Sequence, residues 1–217
     1  MSRMFISCAT ATFIVLLAAH CWDINAREFA LARFLSNDRE AIERIAANYG
    51  VSPGECETNH DADLHALASA FVTVESFATS RSEGWMRMLI AHGGALVGMA
   101  PDISAGPGRI RISTARAALG YSPPSNRALA RNLLTACGAT EIAARILASV
   151  SQSDRAPLLI DRRFIQAATA TYNGQAQQAS SLQAALSAKV YFDLVYATYQ
   201  HYRFATLAVG ERRIAGH

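Results

Sequence analysis

DADLHALASAFVTVESFA, residues 61–78, is the stretch from which the fold is read. Asp61 suits an N-cap, because its side chain can accept a hydrogen bond from an orphan N–H of the first turn. The following residues avoid Gly and Pro and are rich in Ala and Leu, which favour helix. On a wheel turned about 100° per residue from Leu64, Leu67, Ala68, Phe71, Val74 and Ala78 form one apolar stripe. Glu75 falls near the middle of it, about 20° from Leu64 on the same count. A carboxylate there is costly unless it is paired or holds its proton. Burial is also how a Glu is kept protonated near neutral pH to act as a general acid. The plainer reading of the same residue is an Arg-paired structural Glu, or one that reaches solvent from the helix end.

Helical signals recur on either side of this stretch. Residues 27–49 are charged and amphipathic and stop at Gly50, and residues 51–60 read as a loop. A helix is expected over 83–98, then a Gly- and Pro-rich loop, PDISAGPGR. Ser113 is the expected cap of a short helix ending at Leu119, and Ser125 of another ending at Ala136. Helices near 139–150 and 157–171, a loop at 173–181 and a last long helix over 182–208 complete the chain. No sustained apolar/polar alternation or Asn-Gly hairpin appears, so the expected class is all-α.

The chain has 217 residues, 51% hydrophobic and 17% charged, which excludes a disordered polymer or a disulfide-dense miniprotein. The formal charge is +3, and every cation but Lys189 is Arg. So small an excess is not that of a dedicated nucleic-acid binder, and at most favours an anionic polymer as partner. Residues 5–19, FISCATATFIVLLAA, follow Arg3 as a short apolar run of the kind that directs export. The expected organisation is therefore a signal peptide or membrane anchor over 1–26 and one domain over 27–217. An anchor would be the only tie to a membrane.

Of the four cysteines, Cys8 and Cys21 lie in the export segment. Cys56 and Cys137 remain, either disulfide-bonded in an oxidising compartment or buried as free thiols. Cys56, His60 and His65 are spaced somewhat like metal ligands but number only three, so no metal is expected. The glycine pairs lack the Gly-Lys-Ser/Thr ending of a phosphate loop, and no nucleotide or other cofactor is expected. Tyr191, Val195, Tyr199 and Tyr202 share a face of the last helix and read as core rather than as a sugar-stacking platform.

Four segments, in order, resemble the signatures of lytic transglycosylases, members of the lysozyme-like superfamily. VESF at 74–77 is similar to their Glu-Ser motif, and SAGPGRIRISTA at 104–115 to the Ser-x-Gly…Gln-Ile…Thr-Ala segment. ATYNG at 170–174 is similar to Ala-x-Tyr-Asn-x-Gly, and Tyr191 to Tyr199 resembles the closing helix. Three departures mark a divergent member. Arg109 stands where the family has Gln, Gly174 follows Asn173 at once, and 83–98 looks inserted.

The resemblance implies a lysozyme-like helical domain that cleaves the β-1,4 bond between N-acetylmuramic acid and N-acetylglucosamine in peptidoglycan. It makes Glu75 the acid and base, with Ser76, Ser104, Gly106, Arg109, Tyr172 and Asn173 lining the glycan cleft. It also implies a 1,6-anhydro product, formed by the sugar's own 6-hydroxyl, and a periplasmic location. Asp102 is the candidate second carboxylate that would favour a lysozyme-type hydrolase instead, unless it merely caps a turn beside Pro101. A third reading, favoured by Arg109 in place of Gln, is a non-catalytic glycan-binding or envelope scaffold protein.

Overall fold

The computed structural model describes residues 39–51, 55–56, 60–78, 104–120, 123–151, 160–172 and 182–215. The export segment with Cys8 and Cys21, the helix expected over 83–98, Asp102, Asn173 and the loop at 173–181 lie outside these residues. Among the described residues the chain is all-α but for one short hairpin. The helices are α1 (Arg39–Tyr49), α2 (Ala62–Ala78), α3 (Ile112–Leu119), α4 (Asn126–Leu133), α5 (Ala136–Ser151), α6 (Arg162–Tyr172) and α7 (Leu182–Ala215). The hairpin strands are β1 (Ser104–Ala105) and β2 (Ile110–Arg111), antiparallel, with Ser104 opposite Arg111 and Ala105 opposite Ile110.

Helix α2 is the centre of the molecule, packed chiefly on α7 and α5 and also on α1. Asp61 caps it as expected, its Oδ1 accepting from the N–H of Asp63 at 2.9 Å. The apolar stripe does not describe its packing. From Leu64 to Glu75 every residue is buried, including His65, Ser69 and Thr73. A helix apolar nearly all round is a core helix, and its hydroxyls are tolerated where they bond locally. Thr73 Oγ1 donates to the Ser69 carbonyl at 2.7 Å and meets the Tyr202 hydroxyl of α7 at 2.9 Å. Arg203 of α7 pairs with Asp63 at 3.2 Å, fastening the first turn of α2 to the same neighbour.

Several boundaries differ from the sequence expectation, each for a local reason. Ser113 does not cap α3: the chain passes from β2 straight into the helix, with Arg111 at the cap position and no side-chain cap bond. Ser125 does cap α4, its side chain accepting from the Ala128 N–H at 3.3 Å. That helix ends at Leu133 rather than Ala136, because Thr135 starts a new one by accepting from the Gly138 N–H at 3.0 Å. The two helices meet at 106°, and among the described residues no single helix is long and apolar enough to cross a membrane. Asp161, accepting from the Phe164 N–H at 2.7 Å, sets the start of α6.

Cys56 and Cys137 are joined in a disulfide, with Cα atoms 5.3 Å apart. It ties the segment ahead of α2 to the first turn of α5. It also takes Cys56 out of any metal set with His60 and His65. His60 instead meets Glu141 of α5 at 3.2 Å. Burial, and then the nearby His60, lower the proton affinity of His65, with Glu141 opposing them. Closing a loop with a sequence separation of 81 stabilises by about 4 kcal/mol in the chain-entropy picture. Replacing both cysteines by Ser should therefore lower unfolding stability in urea by about 2–4 kcal/mol. An unchanged midpoint would show that the bond contributes nothing to the folded state.

Candidate active site

Glu75 lies in the last turn of α2 and is 6% exposed. Phe71, one turn earlier on the same face, is fully buried and forms a floor for two tyrosines from different helices. Its ring centroid is 4.8 Å from that of Tyr172 in α6 and 6.3 Å from that of Tyr191 in α7. Tyr191 donates its hydroxyl to Glu75 Oε1 at 2.6 Å, a charge-assisted length. Sequence reasoning assigned Tyr191 to the core. It does pack against the core beside Phe71, and its hydroxyl is in addition the direct hydrogen-bond partner of the buried carboxylate. The signal was present as the first tyrosine of the closing-helix pattern.

The β1–β2 hairpin supplies the other side of the site. Its turn, residues 106–109, is held by three hydrogen bonds. The Arg109 N–H donates to the Gly106 carbonyl at 3.1 Å, Ser76 Oγ to the Pro107 carbonyl at 3.2 Å, and the Tyr172 hydroxyl to the Gly108 carbonyl at 2.7 Å. Gly106 has φ +68°, and a Cβ there would lie 1.6 Å from the Leu133 carbonyl oxygen, so only glycine fits. Arg109 also has a positive φ, +50°, uncommon for a residue with a side chain. Such a conformation costs on the order of 1–3 kcal/mol and persists only where its surroundings hold it.

What that backbone achieves is the position of the Arg109 side chain. Its Nη1 stands 3.8 Å from Glu75 Oε2. The Arg109 side chain is 32% exposed and that of Glu75 8%, so the cation is on the solvent side of the pair. Glu75 is thus met at one oxygen by a phenol and at the other by a guanidinium. Both partners favour the charged carboxylate, and burial opposes it. Nearby, burial and then the Glu75 charge push the hydroxyls of Tyr172 and Tyr191 well above the usual phenol value. Each is therefore held as an O–H donor.

The structure brings together Glu75, Ser76, Gly106, Arg109 and Tyr172, and adds Tyr191. Ser104 stands at the base of the hairpin opposite Arg111, in the strand rather than in the turn. Neither Asp102 nor Asn173 is among the described residues. Ser76 and Tyr172 were expected to line a cleft; in the structure both also act as anchors for the hairpin turn.

The raised tyrosines carry a sign that can be checked. Below pH 10 these phenols are protonated in folded and unfolded chains alike. Above it the unfolded chain ionises first, so stability falls as pH rises through 10 toward the higher folded values. Tyr199, pushed up to about 12 chiefly by burial, acts in the same direction. Urea melts from pH 9 to 11 should show this loss, and Tyr172→Phe should flatten it. An equally steep loss in the variant would mean that Tyr172 ionises freely in the fold.

Comparison of the chain with protein-family models, with curated proteins and with solved structures finds no match.

Proposed function

We propose that this chain is a peptidoglycan-cleaving lytic transglycosylase with a lysozyme-like domain, in which Glu75 serves in turn as general acid and general base. The observation that carries the reading is the buried Glu75 carboxylate, held by Tyr191 and Arg109 beside a glycine-bearing hairpin. These residues occupy the segments that resemble the family's signatures. The export-type segment at 1–26 agrees with a substrate outside the cytoplasm, in the periplasm, where the Cys56–Cys137 bond would persist.

The chemistry follows from one carboxyl group. Protonated Glu75 donates its proton to the glycosidic oxygen as the C1–O bond breaks, and the N-acetylglucosamine 4-hydroxyl departs. The muramic acid's own 6-hydroxyl then adds to C1, closing the 1,6-anhydro ring, and its proton passes to the Glu75 carboxylate. The acid is thereby restored and no water is consumed. Charge develops on the sugar as an oxocarbenium-like centre, which a carboxylate nearby stabilises. Tyr191 keeps the carboxyl oriented through both steps, and Tyr172, bonded to the Gly108 carbonyl, holds the hairpin turn beside it.

Incubating the full chain with purified peptidoglycan and weighing the released fragments tests this. Wild type should release 1,6-anhydro muropeptides, and Glu75→Gln none. Reducing-end fragments would assign hydrolysis and make Asp102 the next residue to replace. Retention on peptidoglycan without release, by both proteins, would assign a binding protein. Tyr191→Phe should retain the product but lower kcat by about tenfold, the loss of roughly one hydrogen bond to a charged group. An unchanged kcat would show that the phenol does not orient the acid.

A further inference from the structure

The pair that holds Glu75 contradicts its first task. A general acid must carry a proton, yet the Tyr191 hydroxyl at 2.6 Å and the Arg109 guanidinium at 3.8 Å both favour the carboxylate. Around the carboxyl group, Tyr191 comes from α7, Tyr172 from α6 and Arg109 from the hairpin. Among these Arg109 alone is a cation. Tyr191 is not the group that yields: it is half-buried, its ring lies near Phe71, and its hydroxyl is the 2.6 Å donor to Glu75. Arg109 can, because a third of its side chain faces solvent while its backbone is fixed in the hairpin turn. A guanidinium in that position can exchange one carboxylate for another, since its planar fork suits either.

We infer that Arg109 is a specificity-determining residue that recognises a carboxylate carried by the glycan beside the scissile bond. Pairing with that carboxylate draws the guanidinium from Glu75, so the acid takes up its proton only when an anionic substrate is in place. A neutral glycan leaves the Glu75–Arg109 pair intact and the acid charged. The inference rests on the proposed function and adds the substrate class, an acidic glycan. Two sources offer the same chemistry. One is the lactyl arm of muramic acid when it bears no peptide. The other is the acidic groups of the stem peptide where the arm is amide-linked.

The test uses the full chain, with three glycan preparations compared by kcat and KM. These are strands with stem peptides, strands whose peptides have been removed to free the lactyl carboxylate, and the latter with that carboxylate converted to its methylamide. Wild type should cleave a carboxylate-bearing preparation with kcat/KM at least about tenfold above the methylamide, as expected for a charge-assisted contact. The preferred preparation identifies the source. Arg109→Gln should reduce that ratio to less than about twofold, and Arg109→Lys should restore part of it. In Arg109→Gln the alkaline limb of kcat/KM should also move to higher pH, because a cation that favours the charged acid has gone. A role confined to shaping the turn would leave the limb unmoved, and thermal melts of both variants show whether they fold.

Equal cleavage of all three preparations by wild type would overturn the inference while leaving transglycosylase action standing. So would a ratio and alkaline limb unchanged in Arg109→Gln. Cleavage of none of them would overturn both readings together.

Discussion

A carboxylate buried near the end of a helix that has almost no exposed face is the constraint around which this molecule is arranged. Glu75 cannot turn to solvent, because α2 is enclosed by its neighbours, chiefly α5 and α7, and its side chain is only 8% exposed. Its charge must then be met by groups brought to it. The long helix α7 brings Tyr191 and the hairpin brings Arg109. The two arrive from segments far apart in sequence, so the site forms only when the whole helical array has closed.

The same helix explains how much the sequence disclosed. Its extent and cap were legible, because Asp61 and an unbroken Ala- and Leu-rich run are local signals. Glu75 was also legible, though the helical wheel shows only part of why. A stripe implies an exposed opposite face, and α2 has none from Leu64 to Glu75: His65, Ser69 and Thr73, which lie opposite the stripe, are buried. The residue stands out because it is the one carboxylate in that buried run, which the wheel alone did not say. Tyr191 was passed over for the complementary reason. On its own helix it shares a face with Val195, Tyr199 and Tyr202, which are buried at 0%, 1% and 3% exposure. Nothing in the spacing tells which phenol meets a charge, since that depends on where α2 ends against α7.

The hairpin was not legible in the sequence, although its residues form the second of the family-like segments. Two-residue strands carry no alternation, and a propensity scan sees only a Gly- and Pro-rich loop. What makes it a hairpin is tertiary. Ser76 and Tyr172 bond successive turn carbonyls, and the Arg109 N–H closes the turn on Gly106. The break between α4 and α5 was legible, but it falls about three residues earlier than expected, because Thr135 accepts from the Gly138 N–H and starts the second helix at Ala136.

That break and the hairpin are coupled. Ending α4 at Leu133 leaves a helix-terminal carbonyl against which the turn rests, and Gly106 is the residue that lets it come so close. With Gly106 seated there and Gly108 bonded to Tyr172, Arg109 closes the turn on the Gly106 carbonyl at a φ of +50°. The unusual dihedral thus lies between two fixed points of the turn, and the side chain it carries sets a cation beside Glu75. A glutamine at 109 on the same turn would present an amide to the carboxyl group, able to donate without carrying charge. The step from amide to guanidinium therefore changes the charge state that the surroundings favour for Glu75, while the packing that buries it stays the same.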